Sequence, residues 1–152
     1  MKINDLAPDF TTQDENGKTV TLAGWRGHDV LLYFYPKANT PGCTIEACGF
    51  RDVYGKLQAA GLVVLGISAD TPSAQKKFKE KYELPFPLLA DAKKEIAELY
   101  GVVKEKTMYG KKCRGIVRTT FLIAPDGHIR HIFPEVKPQG HAEEVLALVT
   151  EK

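Results

Sequence analysis

Cysteine is scarce in this chain, with three thiols among 152 residues, at positions 43, 48 and 113. Three cannot make the paired framework of a small secreted domain. Long hydrophobic runs are missing as well, and nothing approaches the ~20 apolar residues of a membrane span. The opening MKINDLAPDF lacks the apolar core of a signal peptide. A cytoplasmic protein is therefore expected, one in which any disulfide is transient and catalytic. An excess of either charge is absent too. Twenty-one Lys+Arg against 19 Asp+Glu leave +2, too balanced to imply nucleic acid or a membrane surface as partner. Repeats, linkers and low-complexity stretches are also lacking, so residues 1–152 are expected to form one domain. At 43% hydrophobic and 26% charged, a chain of this length can bury a core without staples.

What is present centres on Val30 to Gly61. An apolar run, Val30 to Tyr35, stops at Pro36, and a polar loop, Lys37 to Thr40, follows. Thr40 suits a helix N-cap and Pro41 the first helical position, where its missing N–H costs nothing. Cys43 then falls in the first turn, where the positive helix end favours thiolate over thiol. At 100° per residue, Cys43, Ala47, Phe50, Val53, Tyr54 and Leu57 share one face. Cys48 lies on the other side. In a helix the two cysteine Cα atoms stand roughly 8.6 Å apart, beyond the ~7 Å limit for a disulfide. If they pair, the first turns must unwind, and Gly49 and Gly55 make that easier.

The rest of the chain supplies a frame. Asn16-Gly17 marks an N-terminal β-hairpin between Phe10 and Leu22. Leu62 to Ser68 is a second buried strand. Thr71-Pro72 starts a helix carrying Phe78 and Tyr82. Leu84 to Leu89 is a short extended piece, and Asp91 caps a helix running to about Tyr100, ended by Gly101. Val102 to Gly115 reads as a Lys-rich loop. Val117 to Ala124 and His128 to Phe133 form a hairpin about Pro125-Asp126-Gly127, and Gln139 to Thr150 closes as an amphipathic helix. Strand–helix alternation with hairpins implies an α/β protein with a central mixed β-sheet flanked by helices, a thioredoxin-like fold with an N-terminal β-hairpin.

Pro36-Lys37-Ala38-Asn39-Thr40-Pro41-Gly42-Cys43 has the peroxiredoxin pattern of Pro, three residues, Thr or Ser, two residues, Cys. Thr44 to Asp52 resembles the bacterioferritin comigratory protein (Q-type) branch, whose second cysteine comes five residues after the first. Ala7-Pro8-Asp9-Phe10, Leu88 to Asp91, Tyr100-Gly101-Val102 and Arg118 to Ile123 extend the resemblance over nearly the whole chain. Asn4, where relatives often have Gly, and Cys113, which many lack, depart from it.

The resemblance implies a thiol-dependent peroxidase of the atypical 2-Cys type, acting on hydrogen peroxide and organic hydroperoxides. Cys43 would be the peroxidatic cysteine and Cys48 the resolving one, closing a Cys43–Cys48 disulfide. Thr40 would hydrogen-bond peroxide and thiolate, Pro36 would shield the site, and Arg118 would stabilise thiolate and peroxide. Glu46 is placed to orient Arg118. Thioredoxin, or a glutaredoxin-like dithiol, would re-reduce the disulfide, with no cofactor or metal required. Relatives in this branch are commonly monomers.

Other readings stand beside this one. Either cysteine alone could be a buried structural residue, and Thr40 could be a cap only. Arg118 could be a surface-edge arginine, and Cys113 an incidental thiol or an alternative resolving one. A zinc site is disfavoured because C-x4-C is not the usual knuckle. The basic residues Lys104, Lys106, Lys111, Lys112 and Arg114 read as a solvated loop, and the four histidines as structural or exposed. A general thiol–disulfide oxidoreductase and a redox-sensing binding protein are the rival functions.

Overall fold

The computed structural model describes residues 1–150, the side chains of Lys106, Met108 and Cys113 excepted. In chain order the elements are β1 (Thr11–Asp14), β2 (Thr19–Thr21), β3 (Asp29–Phe34), α1 (Pro41–Ala59), β4 (Leu62–Ser68), α2 (Pro72–Tyr82) and β5 (Leu88–Ala90). They continue with α3 (Glu95–Leu99), β6 (Val103–Met108), β7 (Lys111–Ile116), β8 (Thr119–Ile123), β9 (Ile129–Phe133) and α4 (His141–Thr150). Seven strands form one mixed sheet in the order β2-β1-β5-β4-β3-β8-β9. β3, β4 and β5 run parallel, while β1 and β8 join them antiparallel on either side. The α/β, thioredoxin-like arrangement expected from the alternation of elements is what the chain adopts.

β3 sits near the middle of that sheet and is buried on both faces. Because successive side chains point to opposite sides, it divides the core in two. Val30, Leu32 and Phe34 join Tyr100, Phe121 and Ile96 on one face, beneath α3. Leu31, Tyr33 and Tyr35 join Phe50 and Leu57 of α1, Phe78 of α2, and Ala142 and Val145 of α4 on the other. Cys43 belongs to this second cluster. At the strand's end Phe34 pairs with Thr119, so the residue before β8, Arg118, arrives beside the loop that leaves β3.

Two stretches differ from the sequence reading. The Lys-rich segment 102–115 is no loop. β6 and β7 pair antiparallel from Val103↔Ile116 to Met108↔Lys111 as a separate two-stranded sheet. Its turn, Tyr109-Gly110, has positive φ at both positions (53° and 76°), which suits a tight hairpin. Among its described side chains only Val103 and Ile116, at the base, join the core, so the alternation that announces a strand is missing. Lys104, Lys111, Lys112 and Arg114 are nonetheless exposed, as a solvated basic run should be. The Cys113 side chain, and any role for it, lies outside the described residues. The helix after Asp91 is also shorter than expected, spanning Glu95–Leu99. Asp91 does cap it, accepting from the N–H groups of Ile96 (3.2 Å) and Ala97 (2.9 Å). Lys94, in the left-handed region, occupies the position before the first turn.

Candidate active site at the start of helix α1

α1 begins as the sequence indicates, with Thr40 at the N-cap and Pro41 at the first position. The expected capping bond does not form. The Thr40 hydroxyl instead donates to the Lys37 carbonyl (2.8 Å), closing the loop on itself. The helix start therefore has no side-chain cap. Pro41 has no N–H, and the next N–H groups, of Gly42 and Cys43, have no acceptor within the helix. Such an end attracts negative charge.

Cys43 is buried, 1% exposed, against the core. Arg118 comes to it from 75 residues away in sequence and donates from Nη2 to Cys43 Sγ at 3.4 Å. From Nη1 it donates to Glu46 Oε1 at 2.7 Å. Glu46 lies one turn along α1 from Cys43, so one helix face carries both the sulfur and the carboxylate that fixes the guanidinium. The ion pair is shielded, its side chains being 13% and 0% exposed. Gly42 permits this approach, since a Cβ there would stand 3.1 Å from Arg118 Nη2 and 3.3 Å from Pro138. The Arg118 carbonyl accepts from the Val136 N–H (2.8 Å), which fixes its backbone.

Burial raises the Glu46 carboxyl to about 7, against the opposing pull of Arg118. Its second oxygen, Oε2, and the hydroxyl of Tyr33 are buried without a hydrogen-bond partner among the described residues. Burial lifts the Tyr33 phenol well above its ordinary value, and the acidic groups around it, Tyr35, Glu46 and Cys43, add to that. For Arg118, burial opposes the charge, but Glu46 and Cys43 outweigh it and raise the guanidinium further. A cation thus stays between a thiol sulfur and a carboxylate.

Cys48 is half-buried in the same continuous helix, and both cysteines are free. Pro36 is exposed at the mouth of the loop, and Thr40 is partly exposed. The structure therefore brings Cys43, Glu46 and Arg118 into contact, sets Thr40 and Pro36 on the adjoining loop, and leaves Cys48 apart. Gly42 and Pro138 escaped the sequence reading. The burial of Glu46 escaped it too, although at 100° per residue Glu46 falls between Val53 and Leu57 on the apolar arc. Among the histidines, His141 is buried, its Nε2 2.8 Å from Thr120 Oγ1 and its Nδ1 3.1 Å from Glu144 Oε1. Burial holds its pKa below the ordinary value. No group of three or more metal-binding side chains occurs among the described residues, nor is any described helix long and apolar enough to cross a membrane.

Known proteins resemble this chain over nearly its whole length. Residues 3–132 match the AhpC/TSA family. Peroxiredoxin Bcp of Escherichia coli strain K12 is 47% identical over 146 residues, covering 96% of this chain and 94% of that one. A cysteine-to-serine mutant of peroxiredoxin Q from Xylella fastidiosa superposes with a TM-score of 0.91 at 35% identity, covering 99% of this chain and 96% of the other. The bacterioferritin comigratory protein of Xanthomonas campestris, whose structure addresses its alkyl peroxide reduction activity, gives a TM-score of 0.88 at 37% identity. That match covers 93% of this chain and 90% of the other. With a family match over residues 3–132 and relatives this similar over nearly the whole chain, the chain belongs to the AhpC/TSA family, as a thiol-dependent peroxidase of the Bcp and peroxiredoxin Q kind.

Proposed function

We propose that Cys43 is the peroxidatic residue and Cys48 the resolving one of an atypical 2-Cys peroxiredoxin that thioredoxin, or a glutaredoxin-like dithiol, keeps reduced. The observation that carries the proposal is Arg118, which touches Cys43 Sγ and Glu46 Oε1 with two nitrogens of one guanidinium. The Cys43 thiolate attacks one peroxide oxygen. An S–O bond forms, the O–O bond breaks, and the electron pair leaves on the other oxygen, which is protonated to water or an alcohol. Arg118, held in line by Glu46, is the donor that stabilises that developing charge, and the Thr40 hydroxyl joins it by turning its proton away from the Lys37 carbonyl. Pro36 forms the rim that limits water.

Cys43 is left as sulfenic acid. Cys48 cannot reach it within an intact helix, so residues 41–48 unwind, the Cys48 thiolate attacks the Cys43 sulfur, and the hydroxyl leaves as water. Dithiol exchange through a mixed disulfide then restores both thiols. The reading takes residues 1–152 as one catalytic domain acting as a monomer. Cys43→Ser is expected to abolish peroxide consumption. Cys48→Ser is expected to complete one turnover and accumulate Cys43 sulfenic acid, trapped by dimedone and seen by intact mass. Continued cycling of Cys48→Ser with thioredoxin would make the resolving assignment wrong.

A further inference from the structure

The loop 36–40, which the proposed mechanism uses to present Thr40, is tied to the core at one shielded point. The backbone N–H of Ala38 donates to Asp70 Oδ2 at 2.8 Å. The same oxygen accepts from the Ser68 hydroxyl at 2.5 Å. Ser68 in turn accepts from Gln75 Nε2 at 2.9 Å, and that amide also donates to the Leu89 carbonyl at 2.8 Å. Gln75 Oε1 accepts from the Tyr35 hydroxyl at 2.5 Å. Tyr35, Ser68 and Gln75 are fully buried.

Every proton in this chain has a set place. The Leu89 carbonyl can only accept, which turns the Gln75 amide nitrogen toward it and toward Ser68. The Gln75 oxygen then faces Tyr35, which must donate. The one proton of Ser68 is left for Asp70, whose carboxylate can only accept. The network has no orphaned member, and fully satisfied networks of this kind are rigid. The other side-chain anchor of the loop is weaker. Asn39, at φ 59°, accepts from Tyr82 Oη and Lys81 Nζ at 3.3 and 3.4 Å on the surface.

We infer that Asp70 is a positioning residue for the peroxide step, holding the loop that presents Thr40 by accepting the Ala38 N–H, while the buried Tyr35–Gln75–Ser68 chain holds Asp70. The inference rests on the role of Thr40 proposed above. Asp70 touches neither Cys43 nor peroxide. It acts through two residues of backbone, and a shift of that backbone moves the Thr40 hydroxyl relative to Cys43.

The test compares two reactions of the same sulfur in the full-length reduced protein. One is single-turnover oxidation of Cys43 by hydrogen peroxide, followed by rapid quench and mass spectrometry. The other is alkylation of Cys43 by iodoacetamide, which needs the thiolate but no donor fixed on an O–O bond. Asp70→Ala is expected to slow oxidation by about tenfold or more, the scale of a small misplacement of a reacting group, and to change alkylation by less than about twofold. Asp70→Asn keeps an oxygen for Ala38 and is expected to recover most of the rate. Ser68→Ala loosens Asp70 without removing it and is expected to give a smaller loss in the same direction, which keeps the test open if Asp70→Ala does not fold. Asp70→Ala combined with Thr40→Val should be no slower than Thr40→Val alone. The inference is overturned if Thr40→Val is slow while Asp70→Ala and Ser68→Ala oxidise at the wild-type rate, or if oxidation and alkylation fall together. A Thr40→Val protein as fast as wild type would instead strike the proposed role of Thr40 itself.

Discussion

The two faces of β3 are made from alternate residues of one apolar run, yet they do different work. On the face of Val30, Leu32 and Phe34, aromatic rings meet edge to face, Phe34 with Phe121 at 5.8 Å and Tyr100 with Phe121 at 5.3 Å. The Tyr100 hydroxyl there is satisfied by the Pro8 carbonyl at 2.7 Å. On the face of Leu31, Tyr33 and Tyr35, the packing is as tight but includes a thiol, a carboxylate and a guanidinium. Two polar atoms, Tyr33 Oη and Glu46 Oε2, have no partner among the described residues. Buried polar atoms left unpaired cost stability. The first face supplies stability, and the second holds groups that stability alone would not select.

Substitutions on the two faces should therefore separate rate from stability. The largest combined effect is expected for Arg118→Ala, on the reactive face. Losing a donor aimed at developing charge should slow Cys43 oxidation by about 100-fold or more. Leaving Glu46 buried without its partner should cost about 3–5 kcal/mol in urea denaturation. Phe34→Ala, on the opposite face, should cost a similar ~3–5 kcal/mol, but stopped-flow oxidation of the folded fraction should stay near the wild-type rate. A large fall in that rate would show that the faces are not separable.

A pH effect of intermediate size is expected at Glu46. Its folded carboxyl titrates near 7, above the usual carboxylate value. Between those values the folded protein holds a proton that the unfolded chain releases, so this group's contribution to stability is full below the usual carboxylate range. It is lost as pH rises through about 7. Glu46→Gln should remove that decline, read as a urea midpoint that changes less between pH 5 and 8 than in wild type. The smallest effect belongs to Tyr33→Phe. Removing an unpaired buried hydroxyl should raise stability by roughly 1 kcal/mol, by calorimetry, whereas a loss would mean the hydroxyl has a partner. Gly66, whose Cβ would stand 2.8 Å from Tyr33 Oη, shows how closely the sheet is fitted around that group.

The sequence made one part of this molecule plain and hid another. β3, α1 and β4 were legible because apolar runs are bounded by strong local signals, Pro36, Thr40-Pro41 and Gly61, and Cys43 lies inside those signals. β6 and β7 were not, because a hairpin with little apolar surface on either face has no period to read. The contact of Arg118 with Cys43 spans 75 residues and follows from register, Phe34 opposite Thr119, which no local spacing reveals. It was anticipated only through resemblance to peroxiredoxins. The burial of Glu46 was readable from the helical wheel and was obscured by its charge. The Tyr35–Gln75–Ser68–Asp70 chain draws on the end of β3, the end of β4 and α2, and sequence does not show that they meet.

The account depends most on what α1 does once Cys43 is oxidised. Peptide mapping of the protein after one equivalent of hydrogen peroxide, with free thiols blocked at once, tests this directly. The expected result is a single new linkage, Cys43 to Cys48, together with faster amide exchange over residues 41–48 than in the reduced protein. Cys48 recovered as a free thiol, with Cys43 oxidised and turnover continuing on added thioredoxin, would contradict it.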